Sequence, residues 1–87
     1  MSKTKVVHCK REPYDIYIGR PSVWGNPYIV GRNGTREMVL DAFKLYILEN
    51  AELRGRLMEL RGKILGCWCH PRPCHGDILA ELADGKI

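Results

Sequence analysis

The stretch RGKILGCWCHPRPCHGDILAELADG, residues 61–85, decides how this chain folds. Gly62 stands where a helix stops, in the C′ position that glycine favours. KILGCWC (63–69) then reads as a short strand, with Cys67 and Cys69 on one face and Trp68 on the other. Two prolines break the chain. GDILAELADG (76–85) follows as a last helix, starting at Gly76 or Asp77, with Ile78, Leu79 and Leu82 inward and Gly85 as its stop.

Working upstream, REMVLDAFKLYILEN (36–50) places Val39, Ala42, Phe43, Tyr46 and Ile47 at helical spacing, with Thr35 as a cap and Glu37 in the first turn. Asn50 punctuates, and AELRGRLMELRG (51–62) continues with Leu53, Leu57 and Leu60. Before these helices, KTKVVHCK (3–10) has the β-branched centre of a strand. YDIYIGR (14–20) alternates in period two. The short KREP joint between the two favours neighbouring strands. The order β-β-loop-α-α-β-loop-α predicts an α/β fold: a small three-stranded mixed sheet with about three helices, in a single compact domain spanning 1–87. If the second and third strands run parallel, the loops after Ile18 and Cys69 leave the same carboxyl edge, where open α/β sheets hold ligands.

Composition narrows the function. Eighty-seven residues bury roughly 60–65% of the unfolded surface, so a metal, disulfides or a partner subunit would help stability. No apolar run is long enough to span a membrane, and MSKTKVVHC lacks the apolar core of a secretory signal. A cytoplasmic protein is expected, with its four cysteines reduced. The net charge of +4 comes from dispersed arginines, not from a basic block. An anionic small molecule therefore fits the charge pattern as well as a polynucleotide does; nucleic acid is possible but not favoured, and no membrane partner is expected.

The loop GRPSVWGNPYIVGRNG (19–34) is long for so small a domain, and such loops are usually functional. Gly19 and Gly25 permit close backbone approach. Arg20 offers a guanidinium fork for phosphate or carboxylate, Ser22 and Asn26 offer hydrogen bonds, and Trp24 offers a stacking face. With Trp68 and the last helix's Gly76, these residues suit a nucleotide-like ligand. The structural alternative is equally specific: Trp24 fills the core, Asn26 ties a turn, and Arg20 pairs with Asp15 or a glutamate.

CWCHPRPCHG (67–76) admits three readings. Cys67, Cys69, Cys74 and His75 make a Cys3His set that could hold zinc as a cofactor, although Cys-x-Cys on a strand splays its side chains. Cys74 before a helix start could be a nucleophile of lowered pKa, with His75 as base and Asp77 as its orienting partner. Or the cysteines are small buried residues around a helix N-terminus. The function classes follow in parallel: a nucleotide-binding domain, an enzyme acting on such a ligand through Cys74 or bound zinc, or a zinc-stapled nucleic-acid module using the arginines of the second helix.

The blocks YDIYIGRPSVWGNPY (14–28) and LRGKILGCWCHPRPCHGDILAELA (60–83), with the helical span between them, resemble the domain of unknown function 4326, a family found in bacteria and viruses, phages among them. Its signature falls on Tyr17, Gly19, Arg20, Trp24, Gly25, Asn26 and Pro27, then on Cys67, Trp68, Cys69, Cys74, His75, Gly76 and Asp77. The resemblance implies one domain and one site made of both blocks. The first dozen residues fall outside it.

Overall fold

The computed structural model describes residues 3–70 and 72–85; Pro71, one of the two prolines of the turn, lies outside them. In chain order the elements are β1 (Lys5–His8), β2 (Ile16–Tyr17), α1 (Arg36–Glu49), α2 (Ala51–Arg56), a 3-10 turn (Leu57–Glu59), β3 (Ile64–Cys67) and α3 (His75–Ala83). The expected α/β domain is present, with three helices on a three-stranded sheet.

Strand order departs from expectation. β3 lies in the middle, paired with β1 and β2, and both pairings are parallel. The sheet is therefore wholly parallel instead of mixed, and β1 and β2 are not neighbours. The reason lies at Gly66. Leu65 and Cys67 point into the core, so Gly66 faces the opposite side of the sheet. A Cβ there would come within 2.6 Å of the Tyr14 ring. The chain between β1 and β2 crosses β3 on this bare face, and Tyr14 occupies the room that a side chain would need. Asp15 secures the crossing: its amide donates to the Ile64 carbonyl (2.8 Å), and its carboxylate accepts from the Ile64 amide (2.9 Å).

The helices form where periodicity and caps agree. Thr35 Oγ1 accepts from the Met38 amide, and α1 buries Val39, Phe43 and Ile47 on one stripe. Asn50 ends α1 and starts α2, its Oδ1 accepting from the Leu53 amide. The second helical span stays regular only to Arg56 and tightens into the 3-10 turn. Gly62, at φ 75°, then turns the chain into β3. α3 packs on β1 and β3, and α1 packs on α3. Phe43, Ile18, Ile47, Leu60, Leu65 and Leu79 are fully buried between them.

Thr4 ties the ends of the fold together. Its hydroxyl donates to Asp84 Oδ1 (2.6 Å) and accepts from the Gly62 amide (2.9 Å), while its own amide donates to Asp84 Oδ2 (3.2 Å). Among the described residues, no helix is long and apolar enough to cross a membrane.

Candidate functional site

β2 and β3 end side by side, and the segments leaving them enclose a cavity of about 270 Å3. Tyr17, Gly19, Arg20, Asn26, Tyr28 and Val30 line one wall. Arg36, Val39 and Leu40 of α1 line another, and Trp68, Cys69, Cys74 and His75 close it. The two signature blocks thus meet in one place, at the carboxyl edge of neighbouring parallel strands.

Among the described residues, the wall is electropositive by composition, with two arginines and no carboxylate. Arg20 is fixed by backbone carbonyls, its Nε donating to Asn26 O (2.8 Å) and its Nη2 to Tyr28 O (3.4 Å). It pairs with neither Asp15 nor a glutamate. Arg36 reaches across the cavity to donate from Nη1 to Pro73 O (3.0 Å). Asn26 is buried, and its Oδ1 accepts from the Tyr28 amide (2.9 Å), which shapes the loop that presents Arg20. The two blocks are also joined by hydrogen bonds: Trp68 Nε1 donates to Tyr17 Oη (2.8 Å), and Tyr17 Oη donates to Arg20 O (3.0 Å). Trp68 remains 54% exposed, with His8 edge-on and the Lys10 ammonium 5.5 Å from its ring centre.

His75 is the first residue of α3 and is buried. Its Nε2 donates to the Ile18 carbonyl (2.7 Å), and its ring meets Phe43 edge-on with centroids 5.2 Å apart. This bond places the neutral ring's proton on Nε2 and leaves Nδ1 as the acceptor. Burial pushes the imidazole below its ordinary pKa, and the nearby Arg20 charge adds to this. The Ile18 carbonyl and Asp77 oppose it.

Cys74 caps α3. Its Sγ accepts from the Gly76 amide (3.2 Å), and Asp77 Oδ2 accepts from the Cys74 amide (3.1 Å), a reciprocal capping box. Cys67 Sγ lies 3.2 Å from Cys74 Sγ, both sulfurs being buried. The Cys67 thiol is drawn down to about 6. The Cys74 thiol donates to it, and the backbone amides of His70 and Cys69 also favour the thiolate, against the cost of burial. Cys74 is pushed up instead, because it holds the proton that Cys67 accepts, because it is buried, and because the Cys67 charge faces it. At Cys74, burial and the facing Cys67 sulfur outweigh the pull of the helix start on the thiol, and Cys67 is the one drawn down.

Of the expected ligand contacts, Gly19, Arg20, Asn26 and Trp68 line the cavity, whereas Ser22, Trp24, Gly25 and Gly76 do not. Trp24 is 3% exposed and belongs to the core. Ser22 Oγ is buried with no hydrogen-bond partner among the described residues. Gly25 lets the loop close on itself, since a Cβ there would sit 3.1 Å from Arg20 Cα. Gly76 lets α3 approach the sheet, a Cβ there meeting Ile18 Cδ1 at 2.8 Å. Cys74, His75 and Asp77 are adjacent but engage separate partners: the Gly76 amide and Cys67, the Ile18 carbonyl, and the Cys74 amide. In the proposed metal set, Cys67 and Cys74 meet, Cys69 faces the cavity, and His75 Nε2 is engaged by Ile18. Among the described residues, no three His, Cys, Asp or Glu side chains gather as a metal-holding group.

The sequence reading missed Arg36 and Tyr28 as cavity residues and had Tyr17 only in the family signature, not among the ligand contacts. For Arg36 a signal was present: a cation in the first turn of a helix opposes the helix dipole. Local disfavour of that kind marks functional positions.

The family described as Domain of unknown function (DUF4326) matches residues 2–85. The match takes in residues 2–12, which the sequence reading places outside the resemblance. The chain is 37% identical over 84 residues to an uncharacterized 12.4 kDa protein of Enterobacteria phage T4 from the nrdA-td intergenic region, covering 92% of this chain and 77% of that one. It is 31% identical over 86 residues to uncharacterized protein R718 of Acanthamoeba polyphaga mimivirus, covering 78% of this chain but only 65% of the longer relative. No solved structure matches significantly. With both signature blocks folded into one cavity and the match running almost end to end, the chain belongs to the DUF4326 family.

Proposed function

We propose that the protein binds a small anionic ligand bearing a flat ring, a mononucleotide or nucleotide-derived phosphorylated molecule, in the cavity between the 19–34 loop, α1 and the turn before α3. The observation behind this reading is the pairing of Arg20 and Arg36 in a wall without carboxylates. Each guanidinium has five N–H donors, of which backbone carbonyls engage only a part. Held by those carbonyls, the forks are oriented before a ligand arrives, which lowers the cost of binding. Tyr17, Tyr28 and Trp68 supply aromatic surface at the same cavity. A volume of about 270 Å3 lies at the small end of ligand pockets and suits one nucleotide unit. The four free thiols agree with a reducing, cytoplasmic setting.

Thermal denaturation with mononucleotides, cyclic nucleotides and ADP-ribose tests the proposal. A ligand at a hundred times its Kd stabilises by about 2.7 kcal/mol, an easily read shift. The stabilisation is expected to vanish in Arg36→Ala and with nucleosides that lack phosphate. No shift with any of the three classes at millimolar concentration overturns the proposal. So does tight, steeply salt-dependent binding of a single-stranded oligonucleotide where mononucleotides fail.

A further inference from the structure

We propose that Cys67 and Cys74 are a disulfide-forming site, closed by a peroxide-class oxidant that enters through the cavity and reopened by thiols. The two sulfurs lie 3.2 Å apart, so a bond of about 2.05 Å needs only a small approach. The helix that follows Cys74 is held against the parallel sheet whose middle strand carries Cys67 independently of the sulfurs. His75 bonds the Ile18 carbonyl, and the Gly76 backbone sits directly on Ile18 and Val6. Cys9 and Cys69 have no such sulfur contact among the described residues. Cys67 is wholly buried, but Cys74 forms part of the cavity wall. A molecule as small as hydrogen peroxide therefore has a route to one member of the pair.

The chemistry balances without any further reagent. Transfer of the shared proton to Cys67 leaves Cys74 as the thiolate at the cavity. Its sulfur attacks one peroxide oxygen, the O–O bond breaks, and water leaves once the departing hydroxide is protonated, giving the Cys74 sulfenic acid. Cys67 sulfur then attacks Cys74 sulfur; the S–S bond forms, the S–O bond breaks, and the hydroxyl leaves with the Cys67 proton as a second water. Two thiols and one peroxide become one disulfide and two waters, with two electrons passing to the oxidant.

The test uses the full chain, treated with hydrogen peroxide and counted for thiols after unfolding. Two of the four cysteines are expected to be lost together, and dithiothreitol should restore all four. A chymotryptic map of a Cys69→Ser variant, cut after Trp68 so that Cys74 is the one cysteine of the following peptide, should link Cys67 to Cys74. A Cys9→Ser, Cys69→Ser double variant leaves the pair untouched and should lose its two thiols at the same rate as wild type. Cys67→Ser should abolish the link; where that variant fails to fold, the double variant still decides. A map linking Cys9 or Cys69, four thiols surviving the peroxide, or over-oxidised Cys74 without a bridge would each overturn the proposal.

Discussion

His75 is the residue whose replacement separates positioning from titration most cleanly. Its Nε2 bonds a buried carbonyl at 2.7 Å, and its ring packs edge-on against the fully buried Phe43. His75→Leu leaves the Ile18 carbonyl without its partner, at a cost of about 1–3 kcal/mol, and removes an edge-on contact of about 0.5–1.5 kcal/mol. The expected loss is roughly 2–4 kcal/mol. At about 4–8 °C per kcal/mol for a domain of this size, Tm falls by roughly 8–32 °C. His75→Gln keeps an N–H donor within reach of the carbonyl and should recover most of that loss.

The pH dependence has a definite sign. Burial holds the folded imidazole below its ordinary pKa, with Arg20 adding to the effect and Asp77 opposing it. The unfolded chain binds a proton near pH 6.5 that the folded chain refuses. Below that pH the unfolded state carries more protons, so stability falls as pH falls, by up to about 1.4 kcal/mol per unit. Above it both states are neutral and this contribution is flat. Urea denaturation, read through Trp24 in the core, measures the slope for wild type and His75→Gln from about pH 5 to 7. The wild-type curve should bend downward below about 6.5 relative to the variant. Equal slopes would refute the buried neutral imidazole, and a His75→Leu protein as stable as wild type would refute the carbonyl anchor.

Three other outcomes are expected. Ultraviolet thiolate absorbance should rise near the Cys67 value of about 6, and Cys74→Ala, by removing the thiol that donates to it, should move that rise upward. Gly66→Ala puts a Cβ 2.6 Å from the Tyr14 ring and should cost about 1–3 kcal/mol. Chemical denaturation should show a much smaller cost in a Tyr14→Ala background, because the clash has gone. Thr4→Val removes the hydroxyl that serves Gly62 and Asp84; it should cost about 1–3 kcal/mol and raise hydrogen exchange at the Gly62 amide.

What the sequence disclosed follows from how local each signal is. Thr35 and the Val39, Phe43, Ile47 stripe declare α1 within a few turns of chain, and Leu79 and Leu82 do the same for α3. The start of α3 was read at Gly76 or Asp77, not at His75, because cysteine is not among the strong capping residues. The spacing from Cys74 to Asp77 nevertheless has the form of a capping box. Strand order was illegible for a different reason. β2 is two residues long, and Gly66 looks like any glycine in a strand until Tyr14 is seen lying on it. Trp24 and Trp68 carry the same chemistry in sequence; only tertiary packing sends one to the core and leaves the other at the cavity.

In the cysteine-rich turn Cys67 and Cys74 are buried residues at a helix start, and the 3.2 Å between their sulfurs lets one proton serve both. This bears on the proposed ligand. A thiolate behind the wall at Cys74 places negative charge close to where Arg20 and Arg36 would receive an anion. Binding should therefore favour the fully protonated pair, or the neutral disulfide, over the thiolate. The affinity of a mononucleotide whose own charge is constant should then decline as pH rises through about 6, the value at which Cys67 ionises, and peroxide treatment should remove that decline. Isothermal titration with reduced and oxidised protein reads both. An affinity that ignores pH and oxidation alike would mean that the dithiol pair and the cavity are electrostatically independent, and that the turn serves only to cap α3.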